Sequence, residues 1–186
     1  AEVTALLRAW QPTGAVVCSV GSDVSDICST LAEIAPCLKV LVLDSHTPVP
    51  IEVEYPRATL GADRLAGAVG VAERGATVML VDAGTAMTID IVADCRYLGG
   101  NISPGIKMRL GALARHTSLL PEVEKDGALP ENGVDTETAI RCGCVRGVAW
   151  EAAGAWRRAC ERFGNVRLTL TGGDAAIIAR LLREEG

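Results

Sequence analysis

The stretch from Val81 to Asp90 constrains the fold of this chain more than any other. Its sequence is Val-Asp-Ala-Gly-Thr-Ala-Met-Thr-Ile-Asp and it follows the apolar run Val78–Leu80, a pattern that predicts two strands joined by a tight turn. Gly84 has no Cβ, so backbone N–H groups at this turn can approach an anion closely. Thr85 can donate its hydroxyl to a phosphate oxygen, and Asp82 can hold a cation beside it. Taken alone, the stretch is equally compatible with a phosphate- and cation-binding hairpin and with a plain glycine turn.

The order of elements along the chain predicts an α/β fold. A strand over residues 15–20, a helix over 24–34 and a strand over 39–43 are joined by short links, which favours a parallel βαβ unit. A helix from Leu60 to Arg74 follows, and Gly75 closes it. The rest of the chain is predicted to form strands over 77–82, 87–93 and 96–99, helices over 105–118 and 136–163, a strand over 166–170 and a helix over 174–182.

Two stretches between these elements are predicted to be irregular. Residues 45–59 contain three prolines, and residues 119–133 contain two prolines and three glutamates. The second stretch suits either a mobile lid or a surface connection, and we favour the surface connection.

The composition excludes several classes of protein. The net charge is −5 and no basic run occurs, whereas a nucleic-acid interface needs clustered lysine and arginine. No stretch reaches the roughly eighteen continuous apolar residues of a membrane span. The seven cysteines are odd in number and lack paired Cys-x-x-Cys spacing, so we expect packed thiols in a reducing, cytoplasmic compartment.

Four further motifs flank the hairpin in a fixed order, and together the five resemble the type III pantothenate kinase family. The resemblance extends from about Ser19 to Leu182. The four motifs are Leu-Gly-Ala-Asp-Arg-Leu-Ala at 60–66, Gly-Gly-Asn-Ile-Ser-Pro-Gly at 99–105, Asp-Thr-Glu-Thr-Ala-Ile at 135–140 and Leu-Thr-Gly-Gly-Asp-Ala at 170–175.

The resemblance implies a two-lobed, ribonuclease H-like fold of the actin-like ATPase superfamily. Family members begin with a strand and an Asp-x-Gly-Asn-Thr phosphate loop that this sequence lacks, and they usually end with one more strand and helix. We therefore interpret the chain as an internal fragment with an incomplete first lobe. Residues 1–75 would be the remainder of the N-terminal lobe plus an interlobe helix, and residues 76–186 the C-terminal lobe.

The Gly-x-Asp-Arg motif supplies the candidate catalytic residue. Asp63 can simply complement a helix dipole, with Arg64 a neighbouring surface charge. In the resembling family this aspartate is the general base for a substrate hydroxyl, which places Asp63 in that role. Gly61, Ala62 and Arg64 then correspond to substrate-binding positions, and an arginine can bind a substrate carboxylate in bidentate fashion.

The resemblance also implies a nucleotide and a cation near the hairpin. Asp82 corresponds to the ligand of a monovalent cation, K⁺ or NH₄⁺, and Thr85 to an ATP contact beside Gly84. Gly172 and Gly173 follow a strand and would let the adenosine of ATP approach the backbone, although glycine pairs after strands are also common turns. Mg²⁺ would bridge the phosphates of ATP.

Two residues are expected to complete the pantothenate site. Thr136 corresponds to a family threonine that reaches the site of a neighbouring subunit, which implies a homodimer with composite active sites. By itself Thr136 is equally a helix N-cap, for which Asp135 is an alternative. Tyr55 corresponds to a pocket-lining position, but here Pro56 follows it directly, whereas the family often has Tyr-x-x-Pro, so Tyr55 could equally be a surface residue.

The expected function is ATP-dependent phosphorylation of pantothenate to 4′-phosphopantothenate, the first step of coenzyme A biosynthesis. The alternatives are a non-catalytic regulatory member of the same fold and a kinase for another small hydroxy acid or a sugar. We expect neither nucleic acid nor a membrane as a partner. For Thr88 we expect only a hairpin hydrogen bond, and for Asp90 only a charge at a strand edge.

Overall fold

The computed structural model describes residues 2–19 and 23–184, and within these ranges we number the helices α1 to α6 and the strands β1 to β7. The first part contains α1 (Glu2–Trp10), β1 (Gly14–Cys18), α2 (Ser25–Ile34), β2 (Lys39–Leu43), β3 (Glu52–Val53), a 3₁₀ turn (Arg57–Thr59) and α3 (Ala62–Val71). The second contains β4 (Thr77–Ala83), β5 (Ala86–Ala93), β6 (Arg96–Pro104), α4 (Ile106–His116), α5 (Thr136–Phe163), β7 (Val166–Thr171) and α6 (Ala175–Glu184).

The first sheet confirms the predicted parallel βαβ unit. Strands β1 and β2 pair in parallel, from Gly14 opposite Lys39 to Cys18 opposite Leu43, and α2 connects them. The predicted strand extended to Val20, which lies outside the described residues. Helix α1 was not predicted from the sequence.

The second sheet has five strands in the order β3-β6-β5-β4-β7. The predicted hairpin is confirmed, because β4 and β5 pair antiparallel from Thr77 opposite Ala93 to Ala83 opposite Met87. Strand β7 runs parallel to β4 on the other side. The turn between β4 and β5 therefore lies at the same edge of the sheet as the end of β7.

Strand β6 is longer than predicted. The sequence indicated a strand that stops at Gly99, but β6 continues to Pro104 and pairs with β5 along its length. Gly99 and Gly100 do not end the strand. Gly100 instead allows β5 and β6 to approach closely, because a Cβ at this position would lie 2.0 Å from the carbonyl oxygen of Ile89. The pairing of β5 with β6 shifts register between Ile91, opposite Gly99, and Val92, opposite Tyr97.

Residues between 45 and 71 contact the second sheet. Strand β3, in a stretch predicted to be irregular, pairs in parallel with β6, and α3 packs against β4 and β5. Helix α3 ends at Val71, three residues before the predicted end. The domain boundary after Gly75 stays a prediction.

Helices cover both faces of the second sheet. On one face, Met79, Met87 and Ile89 join a large apolar core with residues of α4, α5 and α6. On the other face, Val92 and Tyr97 join a smaller core with Leu65 and Ala68 of α3. Alternate residues of β5 point to opposite faces, so Thr88, Asp90 and Val92 face α3.

Arginines of α5 hold the segment over residues 119–133 against that helix. Arg141, which is 4 % exposed, and Arg146 donate hydrogen bonds to the backbone carbonyl groups of Glu124, Ala128, Leu129 and Pro130. This arrangement favours the surface connection over the mobile lid.

Among the residues described, no helix combines the length and the apolar character needed to cross a membrane. The seven cysteines are free thiols. Burial raises the pKa of Cys144, which packs in the large core.

Candidate functional site

The hairpin turn between β4 and β5 is held in place by two neighbouring segments. The N–H of Gly105, which precedes α4, donates to the carbonyl oxygen of Thr85 at 3.0 Å. The N–H of Asp174, which precedes α6, donates to the carbonyl oxygen of Ala83 at 2.9 Å. The turn is therefore fixed between the starts of two helices, whose free N–H groups favour anions.

Two glycines make this close packing possible. A Cβ on Gly105 would lie 2.1 Å from the carbonyl oxygen of Gly84. Gly172 has φ +91°, and its Cβ would lie 2.5 Å from both the carbonyl oxygen of Ala83 and Oδ1 of Asp82. Any larger residue at either position would displace the turn.

A cavity of about 450 Å³ opens beside the turn, and Gly84, Thr85 and Gly173 line it. The structure thus brings together three of the four residues predicted to contact ATP. The fourth, Gly172, lies against Asp82 instead of lining this cavity.

Sequence reasoning missed three basic residues that also line this cavity: Lys107, Arg115 and Lys125. Lys107, Gly111 and Arg115 are each four residues apart along α4, which places them on one helix face. This spacing could have shown from the sequence that Lys107 and Arg115 lie on the same face. Lys125 forms an ion pair with Asp174 at 2.6 Å, and no local pattern indicates that contact. The hydrogen bond from Lys125 to Asp174 raises the pKa of the lysine.

Asp82 is a half-buried carboxylate close to other negative charges. Burial raises its pKa, and the carboxylates of Asp63 and Asp90 raise it further. The predicted catalytic residue and the predicted cation ligand therefore lie close enough to repel each other. A bound cation would relieve this repulsion, and the monovalent ion expected at Asp82 stays a prediction.

Asp63 lies exposed in the first turn of α3. Its Oδ1 accepts a hydrogen bond from the N–H of Arg64 at 2.8 Å. Gly61 is the N-cap and Ala62 the first helical residue, and both line a second cavity of about 430 Å³. The Gly-x-Asp-Arg motif therefore presents its carboxylate to solvent at a helix N-terminus.

Asp90 is not the strand-edge charge that the sequence suggested. It is 0 % exposed, because β5 lies inside the sheet and α3 covers this face. Arg64 donates to it from Nη2 at 2.6 Å and from Nε at 3.1 Å. The Thr88 hydroxyl, expected to make a hairpin hydrogen bond, donates to Asp90 at 3.1 Å.

Tyr55 and Tyr97 enclose the same arginine. The guanidinium carbon of Arg64 lies 5.6 Å from the ring centroid of Tyr55 and 6.0 Å from that of Tyr97. The two rings meet edge to face at 6.2 Å. Tyr55 is thus half-buried beside the Gly-x-Asp-Arg motif.

Thr136 is the first residue of α5, and its side chain is exposed. The N-cap is Asp135, which accepts from the N–H of Thr138 at 2.8 Å, so the N-cap alternative for Thr136 is wrong. Hydrogen bonding to the N–H of Thr138 lowers the pKa of Asp135. Across the described part of the chain, no hydrogen bond links Thr136 to another predicted site residue.

No cluster of three or more histidine, cysteine, aspartate or glutamate side chains is arranged to hold a metal ion in the ranges 2–19 and 23–184.

Comparison with known proteins gives the same family as the motifs. The sequence profile described as type III pantothenate kinase matches residues 2–158. The type III pantothenate kinase of Bacteroides fragilis is 43 % identical over 139 residues, which are 73 % of this chain and 57 % of that protein. That of Porphyromonas gingivalis is 42 % identical over 149 residues, or 77 % and 61 % of the two chains.

Matches also extend to nearly the whole chain. The type III pantothenate kinase of Azobacteroides pseudotrichonymphae is 37 % identical over 183 residues, which are 96 % of this chain and 73 % of that protein. A crystal structure of a Campylobacter jejuni protein described as a Baf family transcriptional activator shares the fold, with a TM-score of 0.62 and 20 % identity. It covers 98 % of this chain and 83 % of the other.

The chain spans about three fifths of the length of the Bacteroides and Porphyromonas relatives. The profile nevertheless matches residues 2–158, and the relatives are 37–43 % identical to this chain. Both findings identify the same family. The chain belongs to the type III pantothenate kinase family.

Proposed function

We propose that the protein containing this chain phosphorylates pantothenate at its terminal hydroxyl with ATP, giving 4′-phosphopantothenate for coenzyme A biosynthesis. The main support is the position of Asp63. Its exposed carboxylate lies close enough to Asp82 to raise the pKa of that residue, and Asp82 lies directly before the glycine turn that lines the 450 Å³ cavity. The proposed base and the proposed phosphate site would thus be neighbours.

Asp63 is the proposed general base. Phosphoryl transfer requires mainly positioning and charge neutralisation, and a carboxylate can orient the attacking hydroxyl and accept its proton late. Because Asp63 is exposed at the start of α3, a hydroxyl can reach it from solvent.

ATP is proposed to occupy the cavity beside the turn. Gly84, Thr85 and Gly173 would approach its phosphates and adenosine, while Gly172 fixes the turn. Lys107 and Lys125, which both line this cavity, would offset phosphate charge.

Two cations are proposed. Mg²⁺ would be held by the ATP phosphates, whose charge it neutralises. K⁺ or NH₄⁺ would be held by Asp82, where it would offset the charges of Asp63 and Asp90.

Pantothenate is proposed to bind between Tyr55 and the start of α3. Gly61 and Ala62 provide an open helix N-terminus there. Nε and one N–H of Nη2 of Arg64 are engaged by Asp90, whereas Nη1 donates to no described residue. Nη1 and the second N–H of Nη2 form the free edge of the guanidinium, and this edge is the proposed bidentate donor to the substrate carboxylate.

A homodimer is proposed, with Thr136 completing the site of the partner. Exposed apolar side chains support an interface near the start of α5, since Val134 is 86 % and Met108 is 42 % exposed. The two-lobed actin-like architecture is likewise proposed. It is supported by the succession of three strands, two helices, a strand and a helix from β4 to α6. The free thiols favour a cytoplasmic location.

The test is pantothenate-dependent ADP formation by the gene product at its full natural length, in potassium and then in sodium buffer. We expect activity that requires pantothenate and is higher in potassium. A folded protein that forms no ADP in either buffer would contradict the kinase proposal and favour a regulatory role. Activity with another hydroxy acid or a sugar but not with pantothenate would correct the substrate.

A further inference from the structure

Asp90 is a buried carboxylate surrounded by donors from three segments. Arg64 of α3 donates from Nη2 and Nε, the Tyr97 hydroxyl of β6 donates at 2.7 Å, and Thr88 of β5 donates at 3.1 Å. A buried charge is costly unless it is paired and hydrogen-bonded. Asp90 meets both conditions.

The surrounding chain makes room for this arrangement. A Cβ on Gly100 would lie 2.6 Å from Oδ1 of Asp90, so only glycine at this position leaves the oxygen free to accept from Arg64 and Tyr97. Burial and the hydrogen bond to Asp90 raise the pKa of Tyr97, so its hydroxyl stays a donor at neutral pH.

The network determines which edge of Arg64 is free. Asp90 takes the Nε and Nη2 side, and the rings of Tyr55 and Tyr97 lie within 5.6–6.0 Å of the guanidinium carbon. Among the described residues, Nη1 and the second N–H of Nη2 remain without a partner. A planar guanidinium held on one edge by a carboxylate has a fixed direction for the donors on its free edge.

We propose that Asp90 is a positioning residue: by fixing the guanidinium of Arg64, it directs the free edge formed by Nη1 and Nη2 at the carboxylate of the acceptor substrate. Asp90 itself touches no substrate. This inference deepens the proposed function and rests on it, because the carboxylate belongs to pantothenate. It predicts that Asp90 governs recognition of the acid group of the substrate and, when KCl is saturating, has little influence on ATP binding.

The test compares Asp90→Asn with the parent in the full-length protein, using pantothenate and an N-alkyl amide of pantothenate that lacks the carboxylate. We expect the variant to raise KM for pantothenate about tenfold, the scale on which an orienting partner acts. KM for ATP should change less than about twofold, because the contact between Asp90 and Arg64 does not extend to the proposed ATP cavity. For the amide, parent and variant should have the same KM.

A matched control separates this effect from general damage. Asp94→Asn makes the same change in an exposed residue at the far end of the β4–β5 hairpin, where, among the described residues, the side chain of Asp94 accepts from the N–H of Gly75 alone. This control variant should leave every constant unchanged. Arg64→Lys should remove the effect of Asp90→Asn, because lysine has no fixed fork to orient.

Tyr97→Phe provides a second variant should Asp90→Asn fail to fold. It removes one donor to Asp90 and keeps the ring, so we expect a smaller rise in KM for pantothenate and none for the amide. A rise that is equal for pantothenate and the amide, in either variant, overturns the positioning role. If the parent forms no ADP with pantothenate, the proposed function fails and this inference fails with it.

Discussion

At the scale of single residues, Asp63 and Asp82 are the clearest functional candidates because they lie together without an obvious structural reason. Asp63 is exposed, and its carboxylate accepts only from the adjacent N–H of Arg64 among the described residues. Asp82 is half-buried beside two other carboxylates. Like charges that approach in a fold are unfavourable unless a ligand separates them, and carboxylates with perturbed pKa values cluster at functional sites, so the pair supports the proposed site.

Asp63→Asn tests the general base. The amide keeps the size of the side chain and cannot accept a proton, so we expect turnover to fall by about a hundredfold or more. Pantothenate binding, measured by calorimetry, should stay within about threefold, since the amide leaves the positioning of the substrate intact. Glu73→Gln, an exposed carboxylate just beyond α3, is the control. Near-normal turnover of Asp63→Asn would exclude Asp63 as the base.

Asp82→Asn tests the cation site through stability. The folded-state pKa of Asp82 is raised, so the ionised form is unfavourable in the fold at pH values above that pKa, and the penalty disappears as the pH falls below the unfolded value of 3.8. We expect the variant to melt at a higher temperature than the parent at pH 7 in cation-poor buffer and at the same temperature near pH 3.

Potassium should distinguish the same two proteins. A cation bound only to the folded parent stabilises it by mass action, so added KCl should raise the melting temperature of the parent more than that of Asp82→Asn. Equal responses to KCl and to choline chloride in both proteins would contradict a specific cation site.

At the scale of elements, the periodicity of apolar residues predicted those helices and strands that depend on local sequence. The hairpin, α5 and the parallel βαβ unit follow from apolar spacing and are found in the structure. Strand β3 pairs with β6, a partner distant in sequence. The second half of β6 pairs with the preceding strand β5, but Gly99 and Gly100 have the pattern of a turn, whereas in the structure Gly100 allows close packing of the strands. The contact of Arg64 with Asp90 joins residues 26 positions apart, which no local pattern shows.

The segment 119–133 makes a prediction at this scale. It is held on α5 by Arg141 and Arg146, and it places Lys125 at the wall of the cavity beside the turn. Lys125→Ala should raise KM for ATP about fivefold, the scale of a partly exposed charge contact, and leave KM for pantothenate unchanged. Lys39→Ala on the exposed face of β2 is the control. A change in KM for pantothenate alone would place Lys125 at the other substrate.

At the scale of the whole molecule, the five-stranded sheet explains why the motifs converge. The β4–β5 turn, the end of β7 and the start of α4 meet at one edge of the sheet, and the N–H groups of Gly105 and Asp174 hold the turn there. Helix α3 lies across the opposite face and brings Asp63 toward that edge. Thr136, at the start of α5, has no hydrogen bond to this group in the part of the chain that the structure describes.

Because Thr136 is proposed to act in the site of the partner subunit, the last prediction is that two inactive variants complement each other. In a mixed dimer of Asp63→Asn and Thr136→Ala subunits, one site would combine both defects and the other would combine an intact Asp63 with an intact Thr136. Random assortment makes half of the dimers mixed, each with one good site of two, so co-refolding equal amounts should restore about a quarter of the parent activity. Each variant alone should stay inactive. If the mixture is no more active than its components, Thr136 does not complete the partner's site.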